Sequence, residues 1–317
     1  MPATLSPLLK EKSLVTAKAE ATYGTDPTNA GTDAVLSAYD LDLTPEVEFN
    51  ERAMLDTSLS PVKGLPGARM TTVKFKSELK WDGAVGNTQE WDPLFKACGC
   101  AVTANVGAGG TAVDTITIEP TNPASPGSVA LYVNFDGWLW KVLGCRGGFS
   151  LDFEAGKIVT VEWEFMGFYA DPTDTALASP TFDANAGVVA LSGAYSLDAV
   201  TTLVVPSFKF DLNHRLTKRS SLSEATGYGG FDFTGRVPKV SMKVEATKVT
   251  DFNWWTRLLD ATGKEMAFAY GPAGPADNKV KFQADKLEFT SVKVGETDGL
   301  MSLDVEGQCN RTLAAGN

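Results

Sequence analysis

The sequence predicts a mostly β protein built from two antiparallel β-sandwich or barrel modules in tandem, each with one short α-helix. Three features carry that prediction. Apolar and polar residues alternate through five separate stretches, only two stretches have helical spacing, and one succession of elements occurs twice along the 317 residues. Alternation marks a half-buried strand because successive side chains of a strand point to opposite faces.

The chain opens with an arm, residues 1–39, whose central phrase AEATYGTDPTNAGTD at 19–33 is dense in turn formers. Gly supplies positive φ, Pro fixes its own φ, and Asp or Asn bonds its own backbone, so the phrase predicts a loop. LDLTPEVEF at 41–49 follows, then a loop, then Gly67-Ala68-Arg69, then the strand TTVKFKSELKW at 71–81. In that strand Val73, Phe75, Leu79 and Trp81 share one face, and Lys74, Lys76, Glu78 and Lys80 share the other.

Helical spacing first appears in QEWDPLFKACG, where Trp91, Leu94, Phe95 and Cys98 fall at i, i+3, i+4 and i+7 before the stop at Gly99. Alternation returns in IVTVEWEF, with Val159, Val161, Trp163 and Phe165 on one side. A Pro-, Ala- and Asp-rich link, YADPTDTALASPTFDANAG, separates this from SFKFDL and KVSMKVE. DFNWWTRLLDATG predicts the second helix, with Asp251 as N-cap, Phe252, Trp255 and Leu259 as its stripe, and Gly263 at its end. LMSLDVE closes the series.

The order strand, loop, a triplet with Gly and Arg (Gly67-Ala68-Arg69, then Thr234-Gly235-Arg236), alternating strand, helix, strands is therefore met twice, and it divides the chain. Residues 40–168 form the first module, 169–205 the linker, 206–309 the second module and 310–317 a tail.

Composition narrows the function. With 39 acids against 28 bases the net charge is −11, which argues against binding nucleic acid through its phosphates. No 18 apolar residues run together, and MPATLSPLLKEKSLV lacks the apolar core and cleavage site of a signal peptide, so a cytoplasmic, membrane-free protein is expected.

Catalytic and metal patterns are not found, and neither a cofactor nor a metal is predicted. His214 is the single histidine and has no nucleophile elbow to serve, and Cys98, Cys100, Cys145 and Cys309 lack zinc-site spacing. The carboxylate pairs Glu162/Glu164 and Asp304/Glu306 have the spacing that any strand with one wet face produces. The glycine cluster at 107–110 lacks the Lys of a phosphate loop, and Asp171, Asp174 and Asp183 lack the spacing of a calcium loop. Seven tryptophans, Trp138, Trp140, Trp254 and Trp255 among them, keep open a carbohydrate-binding or glycan-cleaving β-sandwich.

Lys18, Glu20, Tyr23, Gly24, Thr25, Asp26, Pro27 and Thr28, followed by Asp33-Ala-Val-Leu, compose a phrase K-x-E-x-x-Y-G-T-D-P-T. It resembles the N-terminal signature of major tail (tail tube) proteins of bacteriophages with long noncontractile tails. Leu94-Phe-Lys-Ala-Cys-Gly99 and GCRGGFSLDFEAGK at 144–157 resemble that family too, so the likeness lies mostly in the first 168 residues. The second half resembles it through the internal repeat.

The resemblance implies tail-tube-type modules and a structural virion protein without enzymatic activity. Such a protein assembles in the bacterial host cytoplasm into stacked rings, through which DNA passes without specific binding. Single-module members build rings of six; two modules per chain predict trimeric rings of pseudo-sixfold symmetry, with hexameric rings as the alternative. Other tail proteins would cap the tube, and a terminator or baseplate protein is the alternative within the virion. Tyr23, Gly24, Asp26 and Pro27 are expected to form an inter-ring arm, helped by loops at 50–66 and 214–230. Because an acidic lumen repels DNA, Glu46, Glu48, Glu162, Glu164, Asp304 and Glu306 are the candidate lumen acids, with Lys74, Lys76, Lys239 and Lys243 expected elsewhere, such as ring contacts.

Overall fold

A computed structural model describes residues 7–33, 38–52, 54, 60, 62–80, 89–105, 115–122, 126–180, 187–260, 263–270 and 280–311. Trp81, the glycines at 107–110, residues 34–36 of the arm and Asp183 lie outside the described residues.

Strand β1 (Ser13–Ala19) precedes a 3-10 turn at Gly31–Asp33 and the long strands β2 (Tyr39–Arg52) and β3 (Val62–Glu78). Helix α1 (Asp92–Ala97) leads to β4 (Cys100–Asn105), β5 (Thr115–Pro120), β6 (Val129–Phe135), β7 (Trp138–Glu154), β8 (Thr160–Phe168) and the two-residue β9 (Thr173–Asp174). The second half holds β10 (Ala194–Leu197), β11 (Ser207–Asp211), β12 (His214–Ser220), β13 (Tyr228–Arg236) and β14 (Lys239–Glu245), then helix α2 (Trp254–Leu259). It ends with β15 (Lys264–Tyr270), β16 (Val280–Thr297) and β17 (Leu300–Cys309).

Thirteen of these strands make one antiparallel sheet, with β12–β13 and β4–β5 as separate hairpins. Within it the order β1-β6-β7-β8-β3-β2 recurs as β10-β15-β16-β17-β14-β11. A one-residue bulge recurs with it, between Leu143 and Arg146 on β7 against β8, and between Phe289 and Ser291 on β16 against β17. The two series are fused, because β11 pairs with β7 from Ser207↔Glu154 to Asp211↔Ser150.

The architecture departs from the expected outline in four places. No barrel closes among the described residues. The stretches read as arm and linker each supply a strand: β1 pairs with β6, and β10 with β15. Leu14, Val15, Thr16 and Ala17 are buried there, since apolar residues on a strand with an open neighbouring edge gain both ladder bonds and burial by joining it. Of the regions read as loops at 50–66 and 214–230, the described residues 50–52 and 62–66 extend β2 and β3, and 214–220 and 228–230 belong to the hairpin β12–β13.

The second helix is the fourth departure. It begins at Trp254, because the Asn253 side chain accepts a hydrogen bond from the Thr256 N–H at 3.0 Å and takes the N-cap place expected of Asp251. That start turns Phe252 and Trp254 inward, their rings 4.5 Å apart, and leaves Trp255 and Leu259 45% and 86% exposed.

One continuous hydrophobic cluster joins both halves. Phe95 of α1 stands edge-on 4.8 Å from both Phe149 and Trp163, and the Trp163 indole N–H donates to Ser77 Oγ at 2.8 Å. Strands cross closely here: a Cβ on Gly147 would lie 2.1 Å from the Glu164 carbonyl oxygen. Trp163 is fully buried, so Trp163→Ala is expected to destabilise the protein by about 3–5 kcal/mol, read from the shift of its urea unfolding midpoint.

Candidate functional site

The turn-rich phrase at 19–33 is a junction. The Glu20 carboxylate accepts from the Gly24 N–H at 2.8 Å, the Gly144 N–H at 2.7 Å and Ser128 Oγ at 2.6 Å, which ties the turn to the bulge of β7. Gly144 has φ +62°, a conformation that favours glycine, and so aims its N–H at that carboxylate. Asn29 donates to the carbonyls of Thr16 and Ala130 and staples the turn's return across β1 and β6.

Tyr23 carries the junction into the second half of the chain. Its hydroxyl accepts from the Phe231 N–H at 2.9 Å, its ring meets Phe168 edge-on at 5.7 Å, and the Arg146 guanidinium lies 4.5 Å from the ring centre. Arg146 is itself buried; it donates to the carbonyls of Phe231 and Pro126, each at 2.9 Å, and pairs with Asp232. Burial is the main force raising the Tyr23 phenol above its ordinary value, so it stays a neutral acceptor. The hairpin β12–β13 is thereby clamped onto the first half, over an apolar patch of Met70, Met166, Phe168, Tyr228 and Phe231.

Asp26 and Pro27 sit farther along the same turn. Asp26 takes the Tyr132 hydroxyl, the Lys141 ammonium at 3.0 Å and the Thr28 N–H at 2.8 Å. Desolvation pushes its carboxyl up, but these three donors outweigh it and hold the group below its ordinary value. All four residues of the expected inter-ring arm thus lie in a turn of their own chain, Tyr23, Gly24 and Pro27 half-buried and Asp26 exposed; the exposed rim is Ala21, Thr22, Thr25, Asp26, Thr28 and Ala30.

The acids singled out in the sequence lie along one side of the long sheet, opposite the helices. Glu162 and Glu164 alternate there with buried Trp163 and Phe165, as Asp304 and Glu306 do with buried Leu303 and Val305. The lysines expected elsewhere share that side, which corrects the expected segregation of charge. Lys74 faces Glu164 across the ladder and binds it at 2.9 Å, Lys76 faces Glu162, and Lys243 faces Asp304. The reason is geometric: directly opposed residues of antiparallel strands project to the same face.

Lys209 and Lys293, not singled out in the sequence, add ion pairs to Glu162 at 3.7 Å and Glu306 at 3.8 Å. Glu46 and Glu48 do something different and hold the clamped hairpin. Glu46 accepts from Thr72 Oγ1 at 2.9 Å and faces Lys218 at 3.6 Å, and Glu48 accepts from the Tyr228 hydroxyl at 2.8 Å.

The other candidates have structural surroundings. His214 sits with Nδ1 3.3 Å from the Gly147 carbonyl oxygen and its ring 4.6 Å from Phe233, and burial lowers its pKa. All four cysteines are free thiols, and burial pushes Cys100 and Cys309 up to about 12. Among the described residues no cluster of three or more His, Cys, Asp or Glu could hold a metal ion. Trp138 and Trp255 are 47% and 45% exposed but lie on β7 and α2, far apart in the strand order, and Trp254 is buried.

A family model described as phage tail tube protein matches residues 11–309 of the chain. No curated protein matches it.

Tyr23→Phe leaves the buried Phe231 N–H without its acceptor and is expected to cost about 1–3 kcal/mol, measured by chemical denaturation. The lowered pKa of Asp26 sets a direction in pH. Its contribution to stability is present above the ordinary value of 3.8 and is lost as the pH falls through the lowered value, so Asp26→Asn should flatten the fall of melting temperature below that point.

Proposed function

The chain belongs to the phage tail tube protein family, and from that premise we propose that it forms stacked rings whose shared channel conducts the phage genome. Membership gives it a structural role in the virion tail, in a multimeric tube with other tail proteins. The finer reading is that three chains form each ring, that the rings assemble in the bacterial host cytoplasm, and that no catalytic step is involved.

The observation that supports this reading best is the repeated six-strand order fused into a single sheet through β7 and β11. One chain then supplies two similar sectors of a ring, and three chains supply six. Repeated sheets with open edges suit such a ring, because neighbours cover the backbone groups that an isolated edge leaves bare.

The charged side of the sheet is the proposed channel wall. It is exposed, it lies opposite α1 and α2, and it bears Glu162, Glu164, Asp304 and Glu306. Its lysines face carboxylates, as Lys74 faces Glu164 and Lys243 faces Asp304. A lysine beside a carboxylate offers a phosphate little net attraction, and each phosphate contact omitted weakens binding that would stall the passing DNA. The wall of this proposal is therefore charge-paired rather than uniformly acidic. Contacts of the arm with a neighbouring ring fall to the rim at Thr22, Thr25 and Thr28, since Tyr23 and Gly24 are half-buried.

Electron microscopy of the purified protein tests the whole reading. Uniform tubes with three chains per ring and Glu164 and Asp304 on the channel wall are expected. Six chains per ring would overturn the tandem reading, helices on the wall would overturn the assigned face, and a protein that never polymerises would overturn the tube.

A further inference from the structure

We propose that neighbouring copies join through one specified pair of edges: residues 294–297 of β16 in one copy pair antiparallel with residues 44–47 of β2 in the next, in the register that β7 and β11 use inside the chain. This deepens the ring reading above and rests on it; the contact between copies is what it adds.

The internal junction is a template because the strands around it occur twice. Leu143↔Phe168 and Arg146↔Met166 flank the bulge of β7 just as Glu288↔Gln308 and Ser291↔Glu306 flank that of β16. The neighbouring ladder matches too, Lys74↔Glu164 corresponding to Lys243↔Asp304. Against it, Ser207↔Lys243 and Phe210↔Val240 on β11 correspond to Asp42↔Lys74 and Pro45↔Thr71 on β2.

Inside the chain Lys209 faces Asp152, Phe210 faces Leu151 and Asp211 faces Ser150, and the Leu212 N–H donates to the Phe149 carbonyl at 3.2 Å. Transferred to the equivalent strands, Thr44 faces Thr297, Pro45 faces Glu296, Glu46 faces Gly295 and Val47 faces Val294.

Among the described residues β2 pairs with β3 alone, and residues 293–297 pair with β17 alone because β15 reaches only to Leu287. Exposure falls where the missing partner would sit. Phe149 is 6% exposed beneath β11, whereas its counterpart Val294 is 61% exposed, and Phe49, counterpart of His214, is 71% exposed.

The residues brought together are compatible. The Lys209–Asp152 charge pair is replaced by Thr44 and Thr297, a favourable cross-strand pair, and Asp211 opposite Ser150 is replaced by Glu46 opposite Gly295, again an acid against a small residue. Pro45 removes one ladder N–H, which makes this junction weaker than the internal one and blunts the edge against indiscriminate pairing. A head-to-tail contact of this kind closes into a ring when its rotation permits.

Disulfide trapping tests the register. The Phe210↔Leu151 pair shares the hydrogen-bonded parity of Leu212 and Phe149, so the equivalent of its neighbour, Thr44 with Thr297, is a non-hydrogen-bonded pair with Cα atoms about 4.5 Å apart, within disulfide reach. Oxidised tubes of the Thr44→Cys/Thr297→Cys protein are expected to give covalent trimers on a non-reducing gel, reversed by reductant. Asp42→Cys/Thr297→Cys, two residues out of register, should give none.

Wild-type-like tubes without the first cross-link, or with the second, overturn the register and leave the tube function standing; wild-type protein that forms no tubes overturns both. Val294→Lys provides an independent arm, because its exposed position keeps the single chain's circular dichroism unchanged. It should polymerise only at tenfold or higher protein concentration, and polymerisation at the wild-type concentration overturns the proposal.

Discussion

The 17-residue strand β7 is the constraint on which the rest of the molecule depends. Its first half bonds to β6 and the short β9, its second half to β11, and its other edge to β8. A strand has only two edges, so serving four partners requires length and a change of direction partway. The bulge between Leu143 and Arg146 provides that change, with Gly144 and Gly147 accepting a positive φ and a close backbone crossing. From this one strand follow the joining of both halves in one sheet, the packing of Phe149 on Trp163, and the site where the N-terminal turn attaches.

The polar groups around the bulge turn a fold into a fixed relation between its halves. Arg146 is buried and would be costly alone, but its donors are directed at carbonyls of both halves and at Asp232. Glu20 and Tyr23 close the same network from the N-terminal side. A satisfied buried network resists sliding of the two halves better than apolar contact, which has no direction. The charged sheet side illustrates the opposite regime, in which half-exposed Lys–Glu pairs contribute little to stability and matter for the charge they cancel.

Much of this was legible in the sequence because it is local. Period-two alternation located β3, β8, β11, β14 and β17, the i, i+3, i+4, i+7 spacing located α1, and the phrase at 18–28 pointed to the family. The second helix lies in the expected segment, but it starts at Trp254 and ends before Asp260 instead of Gly263, and its buried face differs. Asp251 and Asn253 are both competent caps, and only the position of Phe289, 5.7 Å from Trp254, makes the later start bury an aromatic ring. β1 and β10 were read as arm and linker because a strand that adds to an edge needs few residues of its own pattern; SLVTAKA and AYSL carry too little alternation to announce themselves.

By itself, then, the sequence determined the fold class, the doubling of the element order and the family, since each is written in residue spacing or in a short contiguous phrase. Only the tertiary structure decided which residues meet. It set lysines beside the acids of the sheet, held Tyr23 between the halves, and, among the described residues, left the edges at β2 and β16 open. The physical reason is that ladder register is a relation between distant segments: shifting a strand by one residue exchanges its faces while leaving its own pattern of alternation intact.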